Sequence, residues 1–190
     1  MFSFKNYYYF YTDNIKTINL NLIKIKGKIR IIYRFKSYPK NLIELKKFRK
    51  KCKEKKISFF VANNYKLFVA LKADGIYISA YNKSFKHLNY INRNIKIIGS
   101  AHNFREIYLK KNQSCSEIIL SRLFKTEYIN KKTYLGVVRF NLIKNLLNLK
   151  LIPLGGIRLT NLNLTNIVAS NSLSFFSEIK KKPAIISRLF

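Results

Sequence analysis

Carboxylates are what this sequence has least of for its size. It carries 8 Asp and Glu against 38 Lys and Arg in 190 residues, a formal net charge of +30. Carboxylate chemistry is therefore limited to a handful of positions. Cysteine is nearly absent, and the two present read as small buried hydrophobes rather than a disulfide, a metal pair or a nucleophile. Cys52 shares a helix face with Leu42, Leu45 and Phe48, and Cys115 stands just before an apolar run. No run reaches the roughly 18 apolar residues that a membrane-spanning helix needs. The opening stretch MFSFKNYYYFYTD has neither a basic n-region nor a small-residue cleavage site, so a cytoplasmic chain is expected.

Tryptophan is missing too, yet 15 Phe and 13 Tyr lie along the chain and 48% of residues are hydrophobic. That supply suits one domain over residues 1–190 with a sizeable core and excludes wholesale disorder. The positive charge draws polyanions, nucleic acid among them. However, Lys, Asn, Ile, Phe and Tyr are abundant while Ala and Gly are few, as A+T-rich coding produces. Lysines also crowd solvated segments such as 46-KKFRKKCKEKK-56. Coding bias on solvated faces is the first reading of the charge, and selection for an anionic partner the second.

Short β-rich apolar runs recur through the chain, over 7–11, 29–33, 58–62, 75–78, 95–98, 117–120, 151–154 and 172–176. Most of the segments between them read as helices, and 103-NFRE-106 has the spacing of a capping box. Apolar strands alternating with helices indicate parallel strands buried on both faces, and eight such units predict a compact α/β (β/α)8 barrel of the TIM type. Only 14–28 separates the first two runs, so the first helix is short or irregular. A doubly wound open sheet is the alternative.

In a barrel of this kind chemistry sits at the C-terminal strand ends. There the sequence places Asp13, Arg34, Lys36, Asn63, Asn64, Ser79, Asn82, Ser100, His102, Ser121, Arg122, Gly155, Gly156 and Ser177. Arg34 and Lys36, two apart, point to one side and suit a phosphate. The paired Gly155 and Gly156 let backbone N–H groups come close to a ligand, and Ser177 stands where a helix N-terminus adds its own. These two ends make a phosphate cradle. His102 is either a proton-transfer group near neutral pH or a structural residue beside a helix cap.

Several of these segments resemble, in order, those of thiamine-phosphate synthase and its relative the thiazole tautomerase. The likeness runs through 7-YYYFYTD-13, 34-RFK-36, 59-FFVANN-64, 73-ADGIYIS-79, 98-IGSAHN-103, 121-SRLFKT-126, 153-PLGGI-157 and 172-SLSFFSE-178. It implies joining of hydroxymethylpyrimidine diphosphate to thiazole phosphate with release of diphosphate, assisted by Mg²⁺ and cationic side chains. By position, the resemblance assigns Arg34, Lys36, Asn63 and Ser100 to the diphosphate and pyrimidine. It assigns Thr126, Gly156 and Ser177 to the thiazole phosphate.

The departures concern the metal. Where the family places two Mg²⁺-holding Asp residues this chain has Asn64 and Asn82, and an amide offers a dipole in place of a charge. Ile32 replaces a Gln, and Arg122 stands where the synthase has Pro and the tautomerase its His. Of the eight acids only Asp13, Glu127 and Glu178 are expected to reach the rim. The outcomes left open are synthase turnover, or a non-catalytic or isomerase relative that binds thiazole phosphate. Phosphorylated small molecules are the expected partners, with no membrane. No aromatic and basic platform for nucleic acid is present. The sequence leaves oligomeric state open, an assembly of identical copies included.

Overall fold

The fold is that of a computed structural model describing residues 5–23, 27–35, 41–90, 95–126, 133–170 and 172–176. Eight strands run around a closed barrel in chain order, each parallel to the next. They are β1 (Tyr7–Thr12), β2 (Ile29–Tyr33), β3 (Ser58–Ala62), β4 (Gly75–Ile78), β5 (Lys96–Ala101), β6 (Glu117–Ser121), β7 (Leu151–Leu154) and β8 (Ser172–Phe176). β8 pairs back on β1, with Tyr9 opposite Ser174, so no sheet edge is left open. The barrel is the expected one. β5 runs further than the apolar pattern indicated, because Gly99, Ser100 and Ala101 continue the ladder.

The expectation of helices between most strands needs correction. Among the described residues four connections carry an α-helix: α1 (Leu42–Glu54), α2 (Tyr65–Leu71), α3 (Phe104–Asn112) and α4 (Gly136–Leu147). The described residues of the connections after β1, β4 and β7 form only 3-10 turns, at Ile15–Thr17 and Leu20–Leu22, Lys86–Tyr90, and Leu159–Ile167. Their sequences are rich in Asn, Thr and Ser, whose side chains compete for backbone groups. Asn14 and Asn19 each accept an N–H two residues on. No helix of the described residues is long and apolar enough to cross a membrane.

The core has an inner and an outer part. Alternate residues, among them Tyr9, Tyr11, Ile32, Phe60, Tyr77, Ile98, Ile119 and Ile152, fill the barrel. Outward-facing Ile29, Ile31, Phe59, Val61 and Ile76 pack under α1 and α2, against Leu45, Cys52, Leu67 and Phe68. Ile118, Leu120 and Leu151 pack under α3 and α4, against Ile107, Phe140 and Ile143. Cys52 is wholly buried, as its helix face predicted.

Two polar assemblies hold the barrel where apolar packing does not. At the N-terminal end, the buried Glu117 carboxylate accepts from Arg30 Nη1 at 2.9 Å, from Lys96 Nζ at 2.6 Å and from the Tyr9 hydroxyl. The Arg30 guanidinium also lies 3.4 Å over the Tyr7 ring. Between β4 and β5, where the described residues form no α-helix, α3 fastens the loop instead. Buried Lys110 donates to the Asn82 carbonyl at 2.7 Å and Gln113 to the Ser84 carbonyl at 2.8 Å. Buried His87 Nε2 meets the Gln113 carbonyl at 2.9 Å.

Candidate active site

Period-two alternation aims Tyr11 from β1 and Tyr77 from β4 into the barrel just below its C-terminal mouth. Their rings meet edge to face, with centroids 5.4 Å apart. The Tyr77 hydroxyl donates to Ser100 Oγ at 2.8 Å, and the same oxygen accepts the Ala80 N–H at 3.0 Å. With both lone pairs engaged, Ser100 keeps its own hydrogen to donate. Burial pushes both tyrosines above their ordinary pKa, Tyr11 well above it. They form a neutral, hydrogen-bonding floor. Arg34 stands exposed one residue past β2, its N–H on the Thr12 carbonyl at 2.7 Å. Its charge is felt at both phenols.

The two adjacent asparagines at the end of β3 do different work. Asn63 takes a left-handed conformation (φ 54°), which Asn tolerates better than most residues. That turn throws its side chain across to β4. Its amide donates to Ser79 Oγ at 3.0 Å, and its oxygen accepts the Ser79 N–H at 3.0 Å and Asn82 Nδ2 at 3.1 Å. Asn64 caps α2, its oxygen accepting the Leu67 N–H at 2.8 Å. Asn82 Oδ1 accepts the Ser84 N–H at 2.9 Å.

His102 follows β5, exposed, with its ring Nδ1 3.0 Å from Glu106 Oε2. The expected capping box forms in altered shape. Asn103 Oδ1 accepts the Glu106 N–H at 2.9 Å, but Glu106 reaches the His102 N–H, at 2.7 Å. Burial pushes the Glu106 carboxyl up; its bonds from His102 and Asn103 outweigh this and leave it below the ordinary range.

On the far side of the mouth, Gly155 and Gly156 follow β7 with φ of 99° and 69°. A Cβ on Gly156 would lie 2.5 Å from the Phe124 carbonyl oxygen and 2.6 Å from that of Lys125. The chain's own backbone already requires this glycine, whatever ligand it meets. Arg122 Nη1 donates to Thr126 Oγ1 at 3.4 Å in the loop packed against it. Lys36 and Ser177 lie outside the described residues, as do Glu127 and Glu178.

The family model for thiamine monophosphate synthase matches residues 12–172, which span the strand ends from Thr12 to Gly156. The chain belongs to the thiamine monophosphate synthase family. A thiamine-phosphate synthase of Prochlorococcus marinus is 29% identical over 78% of this chain and 43% of its own length. One from Methanococcus vannielii is 24% identical over 84% of this chain and 81% of its own. This chain thus spans less than half the length of the Prochlorococcus relative. In structure it is similar to a thiamine phosphate pyrophosphorylase from Pyrococcus furiosus, with a TM-score of 0.78 at 18% identity, covering 98% of this chain and 93% of that one. That likeness is one of fold.

The residues present do not suit the Mg²⁺ that the synthase family implies. The oxygens of Asn64 and Asn82 are uncharged and each already accepts a backbone N–H. Among the described residues no group of three His, Cys, Asp or Glu side chains converges on a point. Magnesium prefers anionic oxygens in a near-octahedral set, and the described residues around Asn64 and Asn82 offer neither.

Sequence reasoning placed Arg34, Asn63, Asn82 and Ser100 at one mouth, and the structure brings them together there. It missed the floor. The signal was present in the alternation of Tyr7, Tyr9 and Tyr11, which puts all three inside the barrel.

Proposed function

We propose that this chain performs thiamine-phosphate synthase chemistry, joining hydroxymethylpyrimidine diphosphate to thiazole phosphate. The family match from residue 12 to 172 carries this reading. In the reaction the C–O bond to diphosphate breaks with its electron pair kept by the leaving oxygen. The lone pair of the thiazole nitrogen forms the new C–N bond, and no proton has to move. Positive charge grows on the pyrimidine methylene carbon and negative charge on diphosphate. Preorganised cations and donors aimed at the leaving group are therefore the main catalytic asset.

In this reading Arg34 grips diphosphate with its planar fork, Lys36 adds a point charge, and Ser100 donates its hydroxyl hydrogen. Asn63, already clamped to Ser79, is held rigid beside them. The thiazole phosphate goes to the opposite side, to Thr126, Gly155, Gly156 and Ser177. The uncharged floor of Tyr11 and Tyr77 carries the pyrimidine ring. Two phosphorylated small molecules are then the partners, and coding bias accounts for the charge that would otherwise suggest nucleic acid. A cytoplasmic setting rests on the sequence alone.

The test is product formation by Arg34→Ala and Ser100→Ala against the parent chain. Loss of one preorganised donor to developing charge lowers kcat by about 10²–10³. Unchanged turnover in both variants would remove the diphosphate from this side of the mouth.

A second reading, an isomerase relative, is favoured by one observation. Glu106 holds Nδ1 of His102, which leaves Nε2 to take and return a proton. In that case His102→Gln abolishes the isomerisation while leaving any synthase turnover in place.

A further inference from the structure

A cleft of about 370 Å³ opens beyond the C-terminal end of β3, lined by Asn63, Asn64, Tyr65, Lys66, Lys86 and Asn89. Its described lining residues supply two ammonium groups and three amides but no carboxylate. Lys66 rides on the first turn of α2, and Lys86 opens the 3-10 turn that stands in for a helix after β4. Both are exposed, and among the described residues neither pairs with an acid. The Asn64 oxygen is turned inward to cap α2, so its Nδ2 is left as a donor. An Asp at that position would turn a second oxygen outward, toward an incoming anion.

The charge balance favours an anion more than a metal. Two carboxylates with one divalent ion sum to zero, whereas two amides with two ammonium groups sum to +2. The same two ammonium groups repel a free divalent cation. We propose that this cleft, which shares Asn63 with the Arg34 and Ser100 side of the mouth, holds the diphosphate group of the substrate together with those residues, and binds inorganic pyrophosphate, without a divalent ion. Lys66 and Lys86 supply the charge. The site deepens the synthase reading and rests on it for the identity of the natural ligand.

The experiment is a calorimetric titration of inorganic pyrophosphate into the full chain at physiological ionic strength, first in EDTA and then in Mg²⁺. That salt screens the non-specific attraction of a chain with net charge +30. Binding in EDTA is expected. Lys66→Ala with Lys86→Ala should weaken it at least tenfold, the loss of about one charge-assisted hydrogen bond. Lys47→Ala with Lys50→Ala, on the exposed face of α1, should change it less than about twofold. All four lysines are exposed, so the thermal midpoint of each variant should match the parent's.

Three results would each overturn the proposal. These are binding that appears only with Mg²⁺, no binding in either buffer, and a cleft variant indistinguishable from the α1 control. Binding needs no turnover, so the two readings fail separately. Lysine-dependent pyrophosphate binding with no thiamine phosphate formed contradicts the synthase reading alone. Product formed only when Mg²⁺ is present contradicts the metal-free site alone.

Discussion

Replacing Glu117 by Gln removes one charge and almost no volume from the closed end of the barrel. The Gln oxygen can still accept from the Tyr9 hydroxyl, so the change isolates the carboxylate's charge. Arg30 and Glu117 have side-chain exposures of 8% and 10%, and breaking a buried ion pair by removing one partner costs about 3–5 kcal/mol. Lys96, at 30% exposure, is partly screened by water and adds less than a fully buried partner would. A loss of about 3 kcal/mol lowers the melting midpoint of a chain this size by about 6–12 °C. Urea unfolding followed by circular dichroism measures it. Arg30→Met added to Glu117→Gln should recover much of the loss, because no unpaired cation then remains buried.

Acid should act on the same contact. Burial pushes the Glu117 carboxyl up, but Lys96, Tyr9 and Arg30 together hold it below its ordinary value. A depressed carboxyl contributes stability that is present above about pH 4.3, the ordinary Glu pKa, and lost as pH falls through the lower folded-state value. The parent should therefore lose stability faster than Glu117→Gln below about pH 4. A loss under about 1 kcal/mol at neutral pH, or a double variant no better than the single, would refute the reasoning.

Three further outcomes are expected. Burial pushes the thiols of Cys52 and Cys115 up to about 12, so neither should react with a thiol reagent at neutral pH until the chain unfolds; rapid labelling of the native chain would contradict this. Gly156→Ala should cost at least about 2 kcal/mol, because its Cβ meets two backbone carbonyls. Gly136→Ala, also at positive φ but with open space around it, should cost only about 1 kcal/mol; equal losses in urea unfolding would contradict that account. Asn64→Ala should lose about 1 kcal/mol of cap energy that Asn64→Asp keeps. Asn64→Asp with Asn82→Asp should gain a Mg²⁺-dependent thermal shift that the parent lacks.

Every strand was legible because parallel strands buried on both faces leave continuous apolar runs, and Ser58–Ala62 or Leu151–Leu154 hardly read otherwise. The connections after β1, β4 and β7 were harder to read. Their form is set by Asx turns and by contacts with distant residues, such as Lys110 and Gln113 on the Asn82–Ser84 loop. No local pattern announces a lysine that will be buried 28 residues from its acceptor. Strand-end position was enough to place Arg34, Asn63 and Ser100 at the mouth. What each asparagine does was hidden, since a left-handed turn at Asn63 and a cap at Asn64 are backbone facts. Lys66 and Lys86 were lost among so many lysines. Only the cleft between α2 and Lys86–Tyr90 sets them apart.

The most direct test of the account is to incubate the full chain with hydroxymethylpyrimidine diphosphate and thiazole phosphate and follow thiamine phosphate by chromatography. The account predicts product above an enzyme-free blank, lowered about 10²–10³-fold by Arg34→Ala. Product no greater than the blank, with both substrates present at saturating concentration, would contradict it.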